Sequence, residues 1–208
     1  MIIKIKDMKK VFGKKTVFSE FSISMPENKI IGLYGRSGTG KTTLLNLIAG
    51  LDVPDNGEIV VNDKILSKSL SELAEYRRTT LGIVPQSFAL LNFKDAFYNI
   101  SLPLIGKKRK EEISEEIYKI TEKLQIKSLL GSKPTELSAG ERQRVAIARA
   151  IITSPKIILA DEPTSALDEV TQDIVKNIFL QEKQRGATII FSSHNEKLKD
   201  MADEIISL

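Results

Sequence analysis

The sequence predicts an α/β fold: a mostly parallel sheet with helices on both faces, an N-terminal antiparallel β layer and an inserted helical subdomain. Three observations carry this. Short continuous apolar runs at 29–34, 156–160 and 187–191 alternate with helical stretches, as strands of a sheet covered on both faces do. The segment Gly35-Arg36-Ser37-Gly38-Thr39-Gly40-Lys41-Thr42 stands between a strand and a helix and fits G-x-x-x-x-G-K-[ST], the phosphate-binding loop. Between 86 and 155 strand signals are few and helical periodicity takes over. The expected organisation is a single domain over 1–208, with a P-loop NTPase core and β layer at 1–85 and 156–208 and a mainly helical subdomain at 86–155.

Taken in order, residues 2–6 alternate apolar and polar as a half-buried strand does. Residues 7–13 read as a loop carrying one aromatic, Phe12, and 16–25 as a second strand broken by Pro26. The strand at 29–34 leads into the glycine loop, and a helix at 43–49 closes on Gly50. Turn residues crowd 51–57, a short strand follows at 58–61, and 70–79 reads as helical. Pro85 stops a buried strand at 81–84. In 111–124, Ile113, Ile117, Ile120 and Leu124 share one helical face. The basic run at 107–110 reads as a solvated connector. Helices at 141–153 and 169–183 bracket the buried strand at 156–160; strands at 187–191 and 204–208 complete the core.

The chemistry starts at the glycine loop. Its three glycines let the backbone curl so that successive N–H groups face phosphate oxygens, and the helix start adds partial positive charge. Lys41 is placed to reach the β- and γ-phosphates, and the Thr42 hydroxyl to hold Mg²⁺. Asp161 and Glu162 follow an apolar strand, at the edge where ligands bind open α/β sheets. Asp161 suits Mg²⁺, through water; Glu162 suits orienting and polarising an attacking water. Leu137-Ser138-Ala139-Gly140-Glu141 opens a helix: as local structure it is an N-cap, and as a site it offers a hydroxyl and free N–H groups to a second anion.

Composition narrows the class. Thirty-one basic residues against 27 acidic ones leave a net charge of +4, so a mixed-charge surface is expected and no nucleic-acid partner. With no cysteine, disulfide and thiol chemistry are excluded. No apolar run approaches the roughly 20 residues of a membrane span, nor is there a signal-peptide core at the start. A soluble, cytoplasmic chain is expected, held at a membrane only by a partner.

The ordered set of glycine loop, Gln86 after a short strand, 137–141, 157–162, Ser165-Ala-Leu-Asp168 and the only histidine, His194, resembles the ATP-binding subunit of ABC transporters over essentially the whole chain. The stretches 86–91, 99–104 and 134–138 resemble the subgroup that powers macrolide, lipoprotein and antimicrobial-peptide export. The resemblance implies that Phe12 stacks on adenine and that the loop residues Gly35, Ser37, Gly38, Thr39, Gly40, Lys41, Thr42 and Thr43 wrap the phosphates of ATP. It implies that Gln86 contacts Mg²⁺ and the water and reports nucleotide state. Ser138 and Gly140 would touch the γ-phosphate held by a second protomer, Asp168 would lie at the dimer seam, and His194 would hydrogen-bond the γ-phosphate. Glu162, His194, Lys41 and Gln86 form the expected catalytic set, and Thr42, Gln86 and Asp161 the metal set. The implied partners are a second copy when ATP is bound and an integral-membrane permease, with the chain peripheral on the inner face of the membrane. Part of the apolar run Phe88, Leu90, Leu91, Phe93 and Phe97 is expected to form a groove for that permease, the plain alternative being subdomain core. The chain departs from the family at Ala139, where glycine is usual. A small-molecule kinase would lack the Ser138 loop, and a DNA-repair ATPase would need a longer insertion. An ABC ATPase driving a membrane partner by mechanotransmission shares the same site.

Overall fold

A computed structural model describes residues 1–208, the side chain of Lys197 excepted. In chain order the elements are β1 (Ile3–Phe12), β2 (Lys15–Met25), β3 (Ile30–Tyr34), α1 (Lys41–Ile48), β4 (Asn56–Val61), β5 (Lys64–Ile65), α2 (Leu70–Thr80), β6 (Leu81–Val84), α3 (Ala96–Ser101), α4 (Lys110–Lys123), α5 (Ala139–Ile151), β7 (Ile157–Asp161), α6 (Glu169–Gln184), β8 (Thr188–Ser192) and β9 (Glu204–Ser207). They build two sheets. One is antiparallel, in the order β2-β1-β4-β5; the other is parallel, in the order β6-β7-β8-β3-β9. The predicted α/β class, with its added antiparallel layer, is what the chain adopts.

Two apolar clusters sandwich the parallel sheet. Ile158 and Ala160 of β7, with Ile30, Ile189 and Phe191, pack against α3, α4, α5 and α6. The alternate residues Ile157, Leu159, Ile31, Leu33 and Ile190 pack against α1 and the inner face of the antiparallel sheet. Both faces are therefore dry, which is why these strands read as unbroken apolar runs.

Several boundaries differ from the sequence reading. β1 does not stop at Lys6 but runs to Phe12, so Phe12 ends a strand rather than sitting in a loop. The pairing of β1 with β2 shifts register between Ile5 and Met8, beside Asp7 at φ 47°, and the bulge resets the alternation so that Met8 and Lys10 are buried. Helix α1 begins at Lys41 and α5 at Ala139, each two residues before its predicted start. Helix α3 was not expected. Its cap is the Asp95 carboxylate, which accepts from the Tyr98 amide at 2.7 Å, and a fully buried Asn99 amide holds the preceding loop through Leu91, Lys94 and Asp95.

Ile190 lies on the central strand β8, fully buried between two other strands. Truncation there leaves a cavity the sheet cannot close. Ile190→Ala should cost about 2–5 kcal/mol by urea unfolding, whereas Leu180→Ala, on the exposed side of α6, should cost under about 1 kcal/mol.

Candidate nucleotide site

Four stretches singled out in the sequence converge because their strands end together. The register pairs Asp161 with Ser192 and Ser192 with Leu33, and one row back pairs Val84 with Ala160. The glycine loop after β3, Gln86 after β6, Glu162 after β7 and His194 after β8 therefore emerge from one edge of the sheet. The glycine loop is geometrically demanding. Gly40 caps α1 at φ 107°, and a Cβ there would stand 2.7 Å from Val17 and 2.8 Å from Phe18. Gly35 packs so closely that a Cβ would lie 2.4 Å from the Leu208 carbonyl oxygen.

A cavity of about 310 Å³ opens over this loop, lined by Phe12, Lys15, Val17, Ser37, Gly38, Gly40, Lys41, Thr42, Thr43, Gln86, Asp161 and Glu162. The Lys41 ammonium donates to the Gly35 and Arg36 carbonyls at 2.7 and 3.1 Å, which leaves one of its three donors. Thr42 Oγ1 donates to Asp161 Oδ2 at 2.8 Å, and Ser192 Oγ donates to Asp161 Oδ1 at 2.5 Å. A hydroxyl and a carboxylate so close together are hard oxygen donors of the kind Mg²⁺ takes, and Gln86 lines the same cavity. The residues present fit the ion.

Glu162 is the strained member. Its φ is 49°, a left-handed conformation uncommon for a residue with a Cβ, and its N–H is held by Ser192 O at 3.2 Å and Ser192 Oγ at 3.0 Å. The turn aims its carboxylate at His194, whose Nδ1 lies 2.9 Å from Glu162 Oε1. The imidazole is largely exposed, with its second nitrogen left for another group. Behind them Tyr34 donates to the Asn195 carbonyl at 3.2 Å; burial first, then Glu196 and Glu162, push its phenol pKa upward.

The remaining predicted residues lie elsewhere. Ser138, Ala139, Gly140 and Asp168 line a second cavity of about 370 Å³ that shares no residue with the first. Here Ser138 caps α5 in a reciprocal pair: Glu141 Oε2 accepts from the Ser138 N–H at 2.7 Å, and Ser138 Oγ accepts from the Glu141 N–H at 3.3 Å. Asp168 caps α6 through the Thr171 amide at 2.8 Å. A Cβ on Gly140 would meet the Ala166 carbonyl at 3.2 Å, so glycine lets the two loops close up. Thr39 turns inward on its own loop, its hydroxyl donating to the Arg36 carbonyl at 3.0 Å. Three lining or supporting residues escaped the sequence reading. Lys15, whose ammonium donates to the Gly38 carbonyl at 3.3 Å, and Val17 come from β2; Ser192 comes from β8. Strand pairing brings in Ser192, and packing of the antiparallel sheet on the glycine loop brings in Lys15 and Val17; nothing local in the sequence signals either.

Fold and site together define a nucleotide-binding P-loop cassette. Residues 18–165 match the family described as ABC transporter. The chain belongs to that family, whose ATP-binding cassettes are ATPases coupled to transport. It is 39% identical to the methionine import ATP-binding protein MetN of Clostridium tetani, over 98% of this chain and 65% of that protein. It is 37% identical to the lipoprotein-releasing system ATP-binding protein LolD of Treponema denticola, over 97% and 92%. It is also 36% identical to the macrolide export ATP-binding/permease protein MacB of Campylobacter jejuni, of which it spans 33%. Among solved structures, the dimeric ATP-binding cassette MJ0796, in a post-hydrolysis state with ADP and Pi, matches at TM-score 0.94 and 31% identity, over 99% of this chain and 94% of that one.

The α5 cap carries a pH signature. The Ser138 hydrogen bonds hold the Glu141 carboxyl below its ordinary value of 4.5. Because folding lowers that pKa, protonation favours the unfolded chain, and the stabilisation is present above 4.5 and lost as pH falls through the depressed value. The stability gap between wild type and Glu141→Gln, from urea midpoints, should therefore narrow between about pH 5 and pH 3; a gap constant across that range overturns this.

Proposed function

We propose that two copies of this chain close face to face around two ATP molecules, hydrolyse them, and thereby drive an integral-membrane permease, most plainly an exporter. One observation carries the two-site reading: the Ser138–Gly140–Asp168 cavity and the Lys41–Thr42 cavity are separate in a single chain. A second copy is the simplest source of the missing wall. The dimeric state of the MJ0796 cassette supports the same arrangement.

In this reading Phe12, half-exposed at the end of β1, offers a face to adenine. Lys41 and the amides of 37–43 take the phosphates. Thr42, Asp161 and Gln86 would hold Mg²⁺, which would supply charge neutralisation to the triphosphate. Glu162 orients and polarises the water, with its carboxylate steadied by His194 2.9 Å away. The second nitrogen of His194 hydrogen-bonds the γ-phosphate. From the second protomer, Ser138 and the amides near Gly140 complete the cage. Phosphoryl transfer asks for little covalent chemistry, so positioning and charge supply the rate. Each hydrogen bond to a charged phosphate oxygen is worth about 1.5–3 kcal/mol, so two or three across the seam suffice to make closure depend on ATP.

Export rests on the stretches at 86–91, 99–104 and 134–138, and the likeness to LolD along nearly its whole length agrees with it. MetN, named for import, is equally similar, so the direction is carried by those stretches alone. Among the described residues no helix is long and apolar enough to cross a membrane, so the permease would be a separate segment or chain. Of the apolar run after Gln86, Leu90 and Phe97 pack on the core while Phe93 stays exposed, which supports a membrane-partner contact near Phe93. Glu162→Gln should bind Mg-ATP, stall before hydrolysis and elute as a dimer in light-scattering chromatography. A variant that stays monomeric at saturating Mg-ATP overturns the two-site reading.

A further inference from the structure

Helix α5 is capped by Ser138, and its last turn carries Arg149. That guanidinium reaches back to the loop after Gln86, donating from Nη1 to the Ala89 carbonyl at 2.6 Å and from Nη2 to the Phe88 carbonyl at 2.7 Å. Phe88 and Ala89 are consecutive left-handed residues, with φ 62° and 47°, and neither is glycine. Such a pair costs free energy and persists only where the surroundings hold it. The two-pronged guanidinium is the hold. Two turns earlier on the same face of α5, Arg142 lies 5.5 Å from the centre of the Phe88 ring, and its Nη1 donates to Leu137 O at 2.8 Å and Pro134 O at 3.3 Å. One helix thus grips the Gln86 loop with two arginines and carries the Ser138 loop at its start, and Gln86, two residues before Phe88, lines the cavity with Thr42 and Asp161.

We propose that Arg149 is a positioning residue for Gln86, and that with Arg142 it makes α5 a rigid tie through which the Gln86 loop and the Ser138 loop shift together. Chemistry in the Thr42–Asp161 cavity and closure at Ser138 are then mechanically linked inside one protomer. The coupling half rests on the two-site reading; the positioning half does not. Arg149 lines neither cavity, and its guanidinium is spent on the Phe88 and Ala89 carbonyls. Its effect should pass wholly through Gln86.

Arg149→Lys keeps the charge and loses the fork, since one ammonium cannot hold two successive carbonyls in the same geometry. In the full chain, Arg149→Lys should lower kcat for ATP by about tenfold, the scale of one charge-assisted hydrogen bond, with KM and ATP affinity unchanged within about twofold. In a double-mutant cycle, Gln86→Ala with Arg149→Lys should be no slower than Gln86→Ala alone, within about twofold. Rates that multiply, an unchanged kcat, or a loss of ATP affinity each overturn positioning, because a merely structural arginine acts independently of Gln86. Hydrogen exchange reads the tie without turnover: Arg149→Lys should speed exchange at amides 88–91 and also at 138–142. Faster exchange at 88–91 alone overturns the coupling. Since hydrogen exchange reads the tie within a single copy, failure of Glu162→Gln to dimerise would remove the two-site reading separately.

Discussion

Register in the parallel sheet sets the distances among Thr42, Asp161, Glu162 and His194. With Ile157 and Leu159 facing one core and Ile158 and Ala160 the other, a slip of one residue would exchange two well-packed faces. That cost holds Asp161 opposite Ser192 and Ser192 opposite Leu33. The hydroxyl of Thr42, in the first turn of the helix that follows the glycine loop, then meets an Asp161 carboxylate already oriented by Ser192. Hydrophobic burial, which has no direction of its own, thus becomes a directional arrangement of oxygens because the strands cannot slide.

Strain is present where that arrangement is put to use. Glu162, Phe88 and Ala89 all hold left-handed backbone without being glycine, and each is held by nearby hydrogen bonds: Glu162 by Ser192, the pair by Arg149. A relaxed chain would turn the Glu162 carboxylate or the Gln86 loop elsewhere. The buried sheet and α5 absorb that cost. Arg142 and Arg149 show how a helix can serve two loops at once, since residues seven apart share a face.

Much of the site was legible because its signals are local. The glycine loop, the Asp161–Glu162 pair at a strand end and the cap at Ser138 each depend on neighbours within a few residues. The edge of β1 was not legible, because the bulge at Asp7 shifts the alternation that a period-of-two reading relies on. Helix α3 was missed since six residues show too little periodicity, and its stability comes from the Asp95 cap and the buried Asn99 rather than from an apolar stripe. Lys15 and Ser192 were invisible for another reason: Ser192 enters through pairing between strands far apart in sequence, and Lys15 through the approach of the antiparallel sheet to the glycine loop.

What the sequence determined by itself was the class of fold, the order of its main elements and the local stretches that offer amide, hydroxyl and carboxylate groups, because capping, turn and periodicity rules act over one or two turns of chain. Only the tertiary structure decided which of those residues share a cavity. It joined Lys41, Thr42, Gln86, Asp161 and Glu162, set Ser138, Gly140 and Asp168 apart, and brought Arg149 against the loop beyond Gln86. Those outcomes follow from strand order β6-β7-β8-β3-β9 and from helix packing, which depend on burial summed over the whole chain rather than on any one stretch of it.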